Sequence, residues 1–398
     1  TANTGGSSNV AVGMNALDAN TTGNWNVAVG RNALGSNTTT SSNTSVGHDS
    51  LASCTAGENT ALGYAALNAV TTGTRNTAVG MEVLTGTYNT GSYNTGMGHD
   101  AGKANTGGEA NTLIGESCGD SNTTGSNNTA LGAWSLSAVT TSGNNTCIGR
   151  DSGYQVAGNG NTGIGYRAVG YANASTGQRN TGLGMETLRS VTTGSYNVCA
   201  GYQGGFYVTT GTENVLLGNQ SGVYLTTGNN NVVAGSNALF TATTVNDTVA
   251  IGYLAGRKLV SGAGNVFVGC KAGEECLSAD NTIVGYYAGD VLTTGANNTL
   301  LGSNAGGALT TGEQNTHIGR TAGESNTGSQ NTSCGFRALN GSGAGSNNTG
   351  CGVDANRRVT SGEQNSALGA IAGHEITTGS NNTCLGYQAG SGSSPVQL

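Results

Sequence analysis

NNTALGAWSLSAVTTSG, residues 127–143, is nearly restated by ENTALGYAALNAVTTG at residues 58–73. Aligning the chain on the Asn of N-T-A-x-G extends this phrase from Asn9 to Asn382, through 23 copies in which Thr248 once replaces Asn. The spacing is 17 residues, with slips to 16, 18 or 19. A period of this size identifies a repeat architecture before any element is assigned. No shift in composition interrupts the register, so a single continuous repeat domain is expected over residues 1–390, with a C-terminal tail over 391–398.

Counting the Asn as position one, position five is Gly in every copy, including Gly13, Gly132 and Gly302. Position four is Val, Ile or Leu in 18 copies, among them Val79 and Leu301, with Met97, Ala200, Ala234, Cys334 and Cys351 in the others. Position two is Thr or Val except at Ser366. These β-branched residues suit a pleated strand. Strand alternation then predicts that positions two and four point inward together. Position three is mostly small but admits Phe267, Leu300 and His317, and is expected to face a neighbouring chain. Ala at position eight, Leu or Gly at nine and a closing T-T-G complete the unit, and two glycine-marked corners per repeat make seventeen residues read as two short strands and two turns.

Seventeen residues cannot bury their own apolar face, so each coil must stack on the next. The sequence therefore predicts an all-β fold, a β-solenoid (β-roll) of about 23 coils with a 17-residue repeat. Twenty-two rises of about 4.8 Å give a rod on the order of 105 Å. Asn9, Asn128, Asn298 and their equivalents would stack as an amide ladder, and the T-T-G threonines as a second ladder. The core read this way is thin: one Val, Ile or Leu, one Thr or Val, and one Ala per coil, with an added Leu in some. Packing several chains side by side would bury more, so a homotrimeric fibre is expected.

The chain has 398 residues, 71 of them Gly, only 9% charged and 5% aromatic. It lacks the Pro, Lys and Glu typical of disorder and the three-residue Gly period of collagen. A net charge of −7 with three lysines argues against nucleic acid and anionic membrane as partners. No apolar run is long enough for membrane insertion. Thr1 opens in mid-phrase, the start expected of a fragment. The nine cysteines form no CxxC pair and are expected to be buried free thiols; Cys334 and Cys351 share one position in adjacent repeats.

Catalytic, cofactor and metal sites are not expected. His48-Asp49 and His99-Asp100 recur at one repeat position, but neighbouring strand residues would face apart and form only solvated pairs. His317 and His374 stand alone in sequence, and Glu274-Glu275 has no companion carboxylate pair to suggest a glycosidase. Asp occupies no fixed position, unlike the calcium-binding G-G-x-G-x-D repeats. Position six follows the invariant Gly and should face solvent. There Tyr64, Tyr166, Tyr202, Tyr253, Tyr286 and Tyr387 are candidate surface contacts.

Phrases such as NTAVGMEVL, NNTALGAWSL and NNTCLGYQAG, joined by TTGS, resemble repeats of bacterial and phage tail-fibre-like proteins, which often end in an intramolecular chaperone of the endosialidase type. More distantly, TVAIG at 248–252 and NVAVG at 9–13 and 26–30 resemble head repeats of trimeric autotransporter adhesins. The present repeat is longer than the adhesin one, and the chain shows neither the chaperone nor a coiled-coil stalk. The resemblance implies an extracellular structural protein on a virion or cell surface: a fibre shaft, or an adhesin touching a host receptor or glycan. A third possibility is ice binding by stacked threonines. Against it, only one Thr of each T-T pair can face out and several repeats lack the pair. A solenoid lyase or hydrolase would need a clustered charged site that the sequence does not contain.

Overall fold

The computed structural model describes residues 3–171, 174–341, 343 and 345–392. Residues 393–398 of the expected tail lie outside the described residues. The chain forms two units, Thr1–Tyr196 and Asn197–Leu398. The first stacks β1 (Val10–Val12) to β11 (Thr181–Leu183), and the second stacks β12 (Val198–Ala200) to β23 (Thr383–Leu385). Every strand is three residues long and spans positions two to four. Within each unit, paired strands are parallel and in register, as with Thr60↔Thr77 and Val215↔Val232. Both units are therefore β-solenoids, but with one strand per coil rather than the two expected from sequence: the left-handed residues after position five turn the chain where a second strand was expected.

Strand orientation corrects the sequence expectation. Position three is the inward one: the central residue is buried in every strand from β2 (Val27–Val29) to β23, while positions two and four are half-buried or exposed. Val79 is half-buried, and Leu301 is 44% exposed. The reason is the asparagine. Position one must point inward to reach its neighbours, and a period of two carries position three in with it and turns two and four out. Phe267, Leu300 and His317 thus lie fully buried inside their own chain rather than against another.

The asparagine ladder is wired mainly through backbone. Asn9 Oδ1 accepts from the Asn26 N–H at 2.9 Å, and Asn9 Nδ2 donates to the Gly23 carbonyl at 2.8 Å. Asn128 repeats this with the Asn145 N–H at 3.0 Å and the Ser142 carbonyl at 2.9 Å. Asn298 does so with the Asn315 N–H at 2.9 Å and the Gly312 carbonyl at 3.0 Å. Each amide closes a turn whose buried backbone groups would otherwise lack partners. In the T-T-G stretch, the first threonine donates its hydroxyl to the next coil's carbonyl, as from Thr21 to Thr38 O at 2.9 Å and from Thr123 to Thr140 O at 2.9 Å.

Position five needs glycine for two reasons. Gly285 has φ +146°, and a Cβ there would lie 2.3 Å from Gly302 O of the next coil. The same left-side backbone recurs at positions seven and nine and just before position one, and position seven and the residue before position one are rarely glycine. Asp49, Leu51 and Glu58 have φ of 57°, 48° and 61°. A left-handed residue costs about 1–2 kcal/mol, which the stack offsets by turning N–H groups along its axis. Asp49 N donates to Arg31 O at 3.0 Å on one side, and Leu51 N to Ala66 O at 3.0 Å on the other.

The core is accordingly built from positions three, eight, nine and twelve, and is fuller than the one expected from sequence. Ala66, Ala238 and Ala305 at position eight are fully buried. Positions three and nine share one space. Ala61 and Ala78 are paired with Leu67 and Leu84, whereas Leu113, Leu216, Phe267 and Leu300 are paired with Gly119, Gly222, Gly273 and Gly306. Position twelve adds Val70, Val139, Leu225, Leu259 and Leu309, all buried, from the stretch that sequence left unassigned.

Candidate interaction surfaces

Each unit has two surfaces, a strand face and a turn edge. On the strand face, positions two and four of successive coils form two parallel ranks. In the first unit, position two is Thr from β3 (Thr44–Val46) to β11, nine strands in succession, and these hydroxyls make no hydrogen bond within the chain. In the second unit, β12 to β16 (Val266–Val268) carry aliphatic residues at both positions, from Val198 and Ala200 to Val266 and Val268. Leu131 and Leu183 on the first unit's face, and Leu217, Val232 and Ile251 on the second's, are all exposed. Among the described residues, no strand contains Asp, Glu, Lys or Arg.

Charge is confined to the turns. Arg75 Nε meets Glu58 Oε2 at 2.7 Å, Lys103 Nζ meets Glu82 Oε2 at 2.6 Å, and Arg337 Nη2 meets Asp354 Oδ2 at 2.9 Å. Each pair joins neighbouring coils, and exposed pairs of this kind add little stability. Of the position-six tyrosines, Tyr64, Tyr202, Tyr253, Tyr286 and Tyr387 are exposed, while Tyr166 is half-buried beneath Arg167, whose guanidinium carbon lies 4.6 Å from the ring centre. Tyr64 stacks on His48 at 5.5 Å.

The histidine pairs sit in the turn after position five, not on a strand, so their side chains meet rather than diverge. His48 Nδ1 is 3.4 Å from Asp49 Oδ2, and His99 Nδ1 is 3.6 Å from Asp100 Oδ2. The left-handed aspartate turns its carboxylate back toward the preceding ring. Both imidazoles are open to solvent, and Asp100 is also held by Lys103 Nζ at 3.1 Å. His374 also has a partner, Glu375 Oε1 at 2.9 Å. Glu274 and Glu275 do not act as a dyad: Glu274 faces Lys271 and Arg257, and Glu275 pairs with Lys258.

His317 is the buried exception. Its Nδ1 lies 2.8 Å from Ser333 Oγ, its Nε2 has no partner, and burial lowers its pKa to about 4. It fills position three as a neutral core ring. A depression where Gly307 contributes no side chain is rimmed by Asp290, Glu324, Tyr287 and Asn304, and burial raises the Asp290 pKa. Among the described residues, no group of three or more His, Cys, Asp or Glu could hold a metal ion. The chain matches no protein-family model and no curated protein.

Six of the cysteines, Cys54, Cys118, Cys147, Cys199, Cys276 and Cys384, are buried free thiols, as expected. Burial raises the Cys147 thiol to about 12. Cys334 and Cys351 depart from the expectation: position four faces out, so Cys334 is exposed and Cys351 half-buried. The outward tilt of positions two and four was hidden because bulky aliphatics ordinarily mark a core. The signal that could have revealed it is the size exchange between positions three and nine.

Proposed function

We propose that this chain is a structural segment of an extracellular fibre, a virion tail-fibre shaft or a cell-surface adhesin, assembled as a homotrimer through its strand faces. One observation carries the reading: along the strand face of each unit every coil presents an uncharged pair of side chains, Thr or aliphatic apart from Met97, Cys334, Cys351 and Ser366, while the charged residues sit in the turns. A monomer seldom exposes a contiguous apolar patch beyond about 300–600 Å². At their exposures, positions two and four offer on the order of 100 Å² per coil, so eleven or twelve coils exceed the roughly 800 Å² per partner of a stable interface. Parallel copies would bury these ranks and shield a face that would otherwise favour aggregation. The outer turns, with their tyrosines, remain free for a host receptor or glycan.

A second reading has its own support. The nine unbonded Thr hydroxyls from β3 to β11 are spaced by the strand repeat beside a rank of methyl groups, a surface able to order water as ice-binding faces do. The T-T-G threonines are not suited to this, since their first hydroxyls are taken by carbonyls. Native mass spectrometry separates the readings. A mass of three times 39.2 kDa is expected for the fibre segment. A monomer with thermal-hysteresis activity would replace that reading with ice binding.

A further inference from the structure

Cys334 and Cys351 occupy position four of consecutive coils, where β20 (Thr332–Cys334) and β21 (Thr349–Cys351) pair with the two cysteines directly opposite. Both thiols are free. In-register residues of a parallel pair leave the sheet on the same side, so the two sulfurs stand next to each other on the outer face. Ile318 and Leu368, both exposed, flank them at position four of the coils on either side. Burial and the neighbouring Cys334 both raise the Cys351 pKa, so a second thiolate beside the first needs a cation to stabilise it.

We propose that Cys334 and Cys351 form a two-thiolate site for a soft, two-coordinate cation, Cu(I) or its analogue Ag(I). Soft thiolates in apolar surroundings select such ions over harder ones. The geometry favours an ion over a disulfide. Neighbouring strands lie about 4.8 Å apart, close to the ~4.6 Å that two collinear metal–thiolate bonds would span if each matched the ~2.3 Å of zinc–thiolate bonds. A rung spacing of about 4.8 Å lies within the Cα range of disulfides, but a disulfide would also need the Cβ atoms drawn to about 3.5–4.5 Å, an approach the ion does not require. Binding displaces one proton from each thiol, two in all, and leaves a bis-thiolate complex with a single negative charge. Affinity therefore rises with pH.

Both ligands come from one chain, so the site is complete without a partner, although it lies on the strand face that the proposed assembly would cover. Reduced protein is titrated anaerobically with Ag(I) or Cu(I) and followed by native mass spectrometry with a competing chelator. One ion per chain is expected at the tight site. Replacing either cysteine by Val, a residue common at position four, should weaken it by more than the roughly 10–100-fold that losing an outer hydrogen-bonding partner costs a metal site. C270S removes a thiol at position six and should leave binding unchanged. Undiminished tight binding in the C334V/C351V double variant would overturn the assignment. So would closure of a Cys334–Cys351 disulfide by oxidised glutathione, because it would show that the rungs do not hold the sulfurs apart.

Discussion

At the scale of single residues, position five and position ten make a controlled comparison. Gly285 has φ +146° and meets the Gly302 carbonyl, whereas a Cβ at Gly307 would find its nearest atom 3.4 Å away, in a backbone of ordinary φ. Gly285→Ala is expected to destabilise its coil by more than about 3 kcal/mol, combining a strained φ with a backbone clash. Gly307→Ala should be neutral or stabilising by up to about 1 kcal/mol. Native-state hydrogen exchange at the Gly302 amide, which donates to Val284 O at 2.8 Å, reads both. Similar protection in the two variants would refute the role given to position five. His317 supplies a pH test. Its folded pKa of about 4 lies below the ordinary 6.5, so its neutral form is the folded one. Stability from this residue is complete above pH 6.5, falls as acid drives protonation of the unfolded chain, and levels off below about 4. The loss approaches roughly 3 kcal/mol. His317→Leu, matching Leu300 one coil earlier, should flatten that part of the urea-denaturation profile between pH 7 and 4. An unchanged slope would mean that the ring takes up its proton inside the fold.

At the scale of the element, one coil is a shared volume rather than a list of apolar positions. Phe267 lies between Gly256 and Gly273, whose added Cβ atoms would come within 2.6 and 2.5 Å of the ring. Phe267→Ala should cost about 3–5 kcal/mol by leaving a cavity, and Gly273→Leu should overpack the same space. The double variant recreates the Ala and Leu arrangement of Ala78 with Leu84. It should be more stable than Gly273→Leu alone, with a coupling of at least about 1 kcal/mol in a double-mutant cycle. Additive effects would show that the two positions do not share a volume. This exchange marks where sequence reading stopped. The repeat, the strand over positions two to four, the glycine corner and the asparagine ladder were legible, because each depends on a residue type that chemistry restricts, whereas the second strand expected in each repeat is a turn. The facing of the strand was not, since Val79 and Leu301 look like core residues until Asn76 and Asn298 are seen to claim the interior. The left-handed turns were also hidden: Leu51, Trp134 and Arg167 advertise no positive φ. Intercoil hydrogen bonds, not local propensity, hold them there.

At the scale of the whole molecule, each unit has nearest-neighbour stability along its stack and an unsatisfied face across it. Coils exchange hydrogen bonds only with adjacent coils, which makes each stack nearly one-dimensional in energy. Nothing within a coil covers Leu217 or Ile251, 39% and 40% exposed on the all-aliphatic stretch of the second unit. Association of copies is the event that would dry this stretch, and a charge placed there would have to be buried unpaired, at a cost of several kcal/mol. Leu217→Lys/Ile251→Lys should therefore lower the native mass to 39.2 kDa while leaving the β-type circular dichroism unchanged, because both side chains lie outside the core. Tyr253→Lys is the matched control. It is 52% exposed but stands on the turn edge at position six, so it should leave the mass unaltered. An assembly that tolerates the two strand-face lysines but dissociates with Tyr253→Lys would move the contact from the strands to the turns. The threonine and aliphatic ranks would then be the solvent face of the fibre.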